Sequence, residues 1–107
     1  MVLWAEGTST KYSTYSVTAG WGTSVAGPNP VVAVNWIKLA SDRTDGSNNI
    51  GTAFIITTPR WWTGIWNGSS WTSAQLTATN LDASTQRLID ISWEKDSGRC
   101  VSVGVLT

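Results

Sequence analysis

The strongest constraint on how this chain folds is an internal repeat with a period of about fifty residues. The halves match in order: residues 11–14 with 60–63, 20–23 with 70–73, and 36–42 with 88–94. Both then reach a similar turn, Asp45-Gly46 in one and Ser97-Gly98 in the other. Such self-similarity is typical of proteins that stack copies of one supersecondary unit. The sequence therefore predicts a first repeat over 1–49, a second over 50–99, and a surplus opening strand of a third over 100–107.

Each repeat is predicted to form four short strands, because apolar and polar residues alternate and no stretch has a helical period. The predicted strands are 2–7, 11–17, 21–25 and 34–42 in the first repeat, and 50–57, 61–66, 71–77 and 87–94 in the second, with a loop over 78–85. Asn67-Gly68 stands between two aromatic-rich runs, which is a strong signal for a β-hairpin.

These strands predict an all-β fold of two four-stranded antiparallel propeller blades plus one surplus strand. Four short strands in each unit of forty to fifty residues are typical of propeller blades. Two blades alone would leave apolar faces in water, so the ring is expected to close by oligomerisation. The alternative that the length also permits is a single β-sandwich. The surplus strand is expected to pair with strands of another chain or with residues 11–42 of its own.

Two sequence patterns resemble known repeat families. The hairpin Trp66-Asn67-Gly68-Ser69-Ser70-Trp71 resembles one found in small fucose-binding propeller lectins of bacteria and fungi. The longer pattern, which adds Asp90-Ile91, Trp93-Glu94 and Asp96-Ser97-Gly98-Arg99, resembles tandem repeats of very large prokaryotic surface proteins. The lectin resemblance implies two-blade chains that close into a ring, with a trimer favoured. The surface-protein resemblance implies an extracellular or cell-surface location.

Composition argues against several classes of function. The formal net charge is zero and only 13% of residues are charged, so no basic face is available for nucleic acid or for an anionic membrane. The chain has no histidine and one cysteine, which excludes a Ser-His-Asp triad and makes a zinc site a poor fit. We therefore expect no enzyme, no metal and no cofactor. The carboxylate pairs Asp90 with Glu94 and Asp42 with Asp45 are interpreted as turn chemistry rather than as a glycosidase centre.

Eight tryptophans are more than a small β core needs, and they supply the candidate ligand site. A sugar offers an apolar face to an aromatic ring and hydroxyl groups to polar side chains. The second repeat combines these groups in Arg60, Trp62, Trp66, Asn67 and Trp71. A weaker second site is predicted at Glu6, Lys11, Tyr12 and Trp21. The alternative is that the aromatic residues pack one blade against the next; Trp61 and Trp62, being adjacent, must in any case face opposite sides of a strand.

Two functions follow from these observations. The first is a non-enzymatic structural and interaction repeat that assembles with copies of itself into a closed ring. The alternative is a carbohydrate-binding lectin that uses the tryptophan-rich hairpin. The expected partners are therefore other copies of the chain and, under the alternative, glycans.

Overall fold

The computed structural model describes residues 1–58, 60–76 and 88–105, and within them the chain is all-β. The strands are β1 (Val2–Glu6), β2 (Ser9–Ser13), β3 (Tyr15–Ser16), β4 (Gly20–Trp21), β5 (Val25–Ala26), β6 (Val34–Ser41), β7 (Ile50–Ile56), β8 (Trp61–Trp66), β9 (Trp71–Gln75), β10 (Ile89–Trp93) and β11 (Cys100–Gly104). The described part contains no helix that is long and apolar enough to cross a membrane. The all-β class is thus confirmed, and no sheet in these ranges closes on itself.

The central sheet has four antiparallel strands in the order β6-β7-β8-β9. Its strand β7 is buried along six consecutive positions, from Gly51 to Ile56. A strand that is covered on both faces needs a near-continuous apolar run rather than a simple alternation. The segment Ala53-Phe54-Ile55-Ile56 has that composition, so the sequence itself places β7 in the interior.

Two smaller sheets cover opposite faces of the central sheet. The N-terminal sheet has the order β1-β2-β5, and the C-terminal hairpin consists of β10 and β11. Ala53 and Ile55 form a buried cluster with Ile89 and Ile91 of the hairpin. Residues on β7 alternate between faces, so Phe54 points the other way, where its ring stacks on Trp62.

The contact between hairpin and central sheet is fixed by two indole hydrogen bonds. Trp61 Nε1 donates to Ser102 Oγ at 3.1 Å, and Trp93 Nε1 donates to the carbonyl oxygen of Ala40 at 2.9 Å. A buried indole N–H needs an acceptor, and both find one across the layer boundary. Trp61 thus lies on the hairpin side of β8 and Trp62 on the opposite side, as predicted.

The segment predicted as one strand over 11–17 is broken into β2 and β3. Two residues, 13 and 14, lie between Tyr12 and Tyr15, whereas three residues, 22–24, lie between their partners Val25 and Trp21. One strand therefore has an extra residue. This extra residue is a β-bulge, which bends the strand that carries it. The short strands β3 and β4 form a separate two-stranded hairpin beyond the bulge, which we call the arm.

Sheet boundaries do not coincide with the repeat boundaries predicted from the sequence. The central sheet joins β6 of the first repeat to β7, β8 and β9 of the second. Within the described residues, the surplus strand, described as β11, pairs with β10 of its own chain and not with residues 11–42, whereas its pairing with another chain stays a prediction. Its last two residues, and the predicted loop over 78–85, lie outside the described residues.

The close approach of hairpin and central sheet at Gly51 predicts the effect of a small substitution. A Cβ atom at this position would lie 2.7 Å from Cys100 Sγ and 2.9 Å from Ile91 Cδ1. We expect Gly51→Ala to lower the free energy of unfolding by about 1–3 kcal/mol, because overpacking forces neighbours to shift. Chemical denaturation at fixed protein concentration measures this change.

Gly22→Ala is the matched control for this substitution. A Cβ at position 22 would meet its nearest atom, the carbonyl oxygen of Thr14, at an ordinary 3.5 Å. We expect this variant to unfold within about 0.5 kcal/mol of the wild type, as surface substitutions usually do. Equal stability of the two variants would contradict the close packing at Gly51.

Candidate functional site

An aromatic cluster lies where the N-terminal sheet meets the central sheet. Trp66 and Trp71 are directly opposite each other on β8 and β9, with ring centroids 5.6 Å apart. Tyr12, on β2, packs against both, at 5.1 Å from Trp66 and 5.9 Å from Trp71. Two residues of the predicted sugar site thus meet one from the predicted second site. The three rings hold the layers together in the way expected for the packing interpretation.

The other residues of the predicted sugar site are spread along β8 and its turn. Arg60 is exposed and its Nη1 lies 3.5 Å from Gln75 Oε1. Trp62 is half-buried, and its ring stacks on Phe54 with centroids 6.1 Å apart and an interplanar angle of 14°.

Asn67 has a structural role in the hairpin turn. Its Oδ1 accepts hydrogen bonds from the backbone N–H groups of Ser69 and Ser70, at 3.0 and 2.9 Å. Gly68 follows with a φ of 98°, a left-handed conformation that glycine adopts without strain. The predicted hairpin is therefore confirmed, and the Asn67 amide oxygen is used to build it.

The predicted second site is not brought together. Lys11 Nζ lies 2.6 Å from Glu6 Oε2 on the outer side of the N-terminal sheet. Tyr12 follows Lys11 on the strand and therefore points to the opposite side. Trp21 lies on the arm, where it contacts Tyr15 with ring centroids 5.4 Å apart.

Two indole N–H groups are buried without a hydrogen-bond partner among the described residues. They belong to Trp62 and Trp71, on neighbouring strands of the central sheet. A buried donor without an acceptor typically costs about 1–3 kcal/mol. Both nitrogen atoms are shielded from solvent, so this cost is borne by the folded chain itself.

A cleft of about 690 Å³ opens between the C-terminal hairpin and the central sheet, and sequence reasoning did not find it. Its residues include Thr63 and Ile65 of β8, Trp93 of β10, and Cys100 and Ser102 of β11. In the described residues the hairpin has two strands whereas the central sheet has four, and these residues leave part of β8 and β9 uncovered. Burial raises the pKa of the Cys100 thiol, and the negative charge of Asp42 adds to the shift.

The candidate carboxylates form local contacts. Asp42 accepts from the Thr44 N–H at 3.0 Å and from Ser47 Oγ at 2.7 Å. Glu94 accepts from Ser97 Oγ at 2.8 Å. Asp90 lies 3.3 Å from Lys38 Nζ, an ion pair that joins the hairpin to the central sheet. The turn role expected for Asp42 is thus confirmed.

Exposed apolar side chains concentrate on the terminal sheets and the arm. Tyr15 and Trp21 of the arm are each 56% exposed, and Val103 of β11 is 57% exposed. Others on the same elements are Val2, Trp4, Val25, Val101 and, following β11, Val105. The apolar residues of β7 are instead buried on both of its faces.

Comparisons with protein-family models, with curated proteins and with solved structures found no match to this chain. Within the described ranges, no group of three or more His, Cys, Asp or Glu residues is arranged to hold a metal ion. The interpretation of the site therefore depends on the contacts and exposures given above.

The hydrogen bonds of Asp42 predict a pH-dependent stability. The Ser47 hydroxyl, followed by the Thr44 N–H, lowers the pKa of Asp42 from 3.8 to about 2. Because the folded-state pKa is depressed, the stabilisation is complete above pH 4 or so and is lost as the pH falls through about 2. We expect Asp42→Asn to melt below the wild type at pH 7, and the difference to shrink between pH 4 and pH 2.

Thermal melts of the wild type and Asp42→Asn across this pH range measure the effect. The control is Asp45→Asn, which changes an exposed acidic residue of the same loop. A melting-temperature difference for Asp42→Asn that stays constant down to pH 2 would show that the carboxylate network does not stabilise the fold.

Proposed function

We propose that this chain is a non-enzymatic structural and interaction protein that assembles with copies of itself into a closed ring. The observation that carries the proposal is that both terminal sheets are incomplete and present exposed apolar residues. The N-terminal sheet has three strands and the C-terminal hairpin two, beside a central sheet of four. Contiguous exposed apolar surface on a small soluble domain commonly marks an interaction site.

The two incomplete sheets are complementary. β3, which continues the N-terminal sheet beyond the bulge, has an open edge and β11 has one in the hairpin, since each pairs with one strand in the described part of the chain. Open strand edges present unpaired N–H and C=O groups, which favour pairing with another chain. We propose that the C-terminal hairpin of one copy and the N-terminal sheet of the next join edge to edge into one β-sheet layer. The assembly then has, for each chain, one such joined layer and one central sheet.

Such a contact joins different surfaces of identical chains. A heterologous contact repeated by rotation closes into a ring when the angle allows it. Propellers have about four to eight blades, so chains that contribute two blades each would form dimers, trimers or tetramers. We favour a trimer, which is the assembly implied by the resemblance to two-blade lectins.

Native mass spectrometry tests the assembly directly. We expect a wild-type species of three times the 11.5 kDa chain mass at micromolar concentration. We expect Val103→Lys to shift the population to single chains, because a lysine charge at this 57% exposed position would disfavour burial of the outer face of the hairpin between neighbouring copies in the ring.

Val31→Lys is the matched control, because it makes the same change at a 75% exposed valine outside the terminal sheets. We expect it to leave the mass of the assembly unchanged. A wild-type chain that stays monomeric and heat-stable at these concentrations would overturn the proposed function.

Carbohydrate binding is the second candidate, and the exposed Arg60 beside β8 together with the half-buried ring of Trp62 favours it. A sugar offers an apolar face to an aromatic ring, and the guanidinium donates hydrogen bonds to its hydroxyl groups. We expect a glycan array to show binding on the order of micromolar, which corresponds to about 8 kcal/mol. Trp62→Phe and Arg60→Ala should each weaken that binding about 10-fold.

Arg43→Ala, which changes an exposed arginine outside the β8 surface, is the control for these variants. An array without binding, or binding that Trp62→Phe and Arg60→Ala leave unchanged, would count against the carbohydrate hypothesis. Neither result bears on assembly, which the mass measurement decides independently.

A further inference from the structure

We propose that the arm of one copy inserts into the cleft of the next, with Tyr15 and Trp21 as the inserted side chains. The inference rests on the proposed self-assembly and names the contact that drives it. Both side chains are 56% exposed although they form a ring pair with each other. Aromatic pairs of this kind commonly act as anchors when a pocket on a partner receives them.

The chain already contains one example of this contact. Trp66 and Trp71 are directly paired on β8 and β9, and they pack on Tyr12 of the neighbouring N-terminal sheet. Tyr15 and Trp21 are directly paired on β3 and β4 in the same manner. The first pair covers a neighbouring layer within the chain, whereas both side chains of the second remain 56% exposed.

Among the described residues, no aromatic pair covers the face of β8 that lines the cleft. On the opposite face, the Trp66–Trp71 pair of β8 and β9 packs against the N-terminal sheet. On the other side, the two-stranded hairpin leaves Thr63 and Ile65 of β8 lining an open cleft of about 690 Å³. A hairpin that continued the layer of β10 and β11 would lie over this floor.

The strand edges that would meet are both open in the described residues. β11, along one wall of the cleft, pairs only with β10, and β3 pairs only with β4. The arm of a second copy can add to the edge of β11 as an antiparallel strand, which supplies main-chain hydrogen bonds as well as side-chain burial.

Cys100 is a native reporter for this contact, because it is the only cysteine and it lines the cleft. We place a second cysteine at the tip of the arm with Thr18→Cys, and, as the matched control, at the tip of the β1–β2 hairpin with Thr8→Cys. Both threonines are exposed in turns. Under mild oxidation we expect Thr18→Cys to give disulfide-linked multimers through Cys100 on a non-reducing gel, and Thr8→Cys to give few or none.

A second experiment removes one of the two proposed anchor side chains, that of Trp21. We expect Trp21→Ala to raise the dissociation constant of the assembly about 10-fold or more, since anchor residues dominate interface energies. It should also speed maleimide labelling of Cys100 at concentrations where the wild type is assembled. Trp36→Ala is the control: Trp36 is 37% exposed on β6, outside the arm and the cleft, and its loss should change neither quantity.

The outcomes separate this inference from the proposed function. An assembled wild type in which Trp21→Ala changes neither the dissociation constant nor Cys100 labelling, and in which Thr18→Cys cross-links no better than Thr8→Cys, would overturn the arm contact alone. Cross-linking of Thr18→Cys with weaker assembly of Trp21→Ala supports it. A wild type that is monomeric at all concentrations tested would overturn both proposals.

Discussion

The structure depends on one strand being covered from both sides. β7 contributes Ala53 and Ile55 to the cluster beneath the C-terminal hairpin, and Phe54 to the opposite face. Apolar burial contributes roughly 25 cal/mol per Å², so a strand that hides both faces contributes more per residue than one with a wet side. The smaller sheets, which have two or three strands, are stabilised chiefly by packing against this strand and its neighbours.

The tryptophans fall into two groups that differ in how far their side chains are exposed to solvent. Trp93 is 8% exposed and Trp61 half-buried, and each donates its indole hydrogen across the boundary between hairpin and central sheet. Trp21 is 56% exposed, on the arm, whose two strands pair only with each other in the described residues. Some of the tryptophans thus join layers through large flat rings, whereas others lie on exposed surface.

Local patterns predicted much of the fold. Strand positions in the second repeat were predicted to within two residues where they are described, and the Asn67-Gly68 hairpin was predicted from its turn residues. Sheet membership was harder, because alternation along a strand does not reveal which strands pair across long separations. The bulge that breaks 11–17 depends on one extra residue in the opposite strand, so inspection of either strand alone could not find it.

The candidate site was predicted unevenly for a related reason. Trp66 and Trp71 flank the predicted Asn67-Gly68 hairpin, and their rings meet at an interplanar angle of 52° because the turn fixes their register. Their contact with Tyr12 joins separate sheets and depends on tertiary packing, which strand alternation does not show. The cleft lies beside the edge of β11 that no other described strand pairs with, and its extent depends on which strands belong to which sheet. The aromatic surface could be predicted from residue types, whereas the cleft could be found only once the strand order of each sheet was known.

The pairing of β6 with β7 crosses the boundary predicted between the two repeats. A piece of the chain cut at residue 49 would therefore leave β7 without β6 and expose a long strand edge on each fragment. Unpaired strand edges favour pairing with other chains, so either fragment made alone is expected to aggregate.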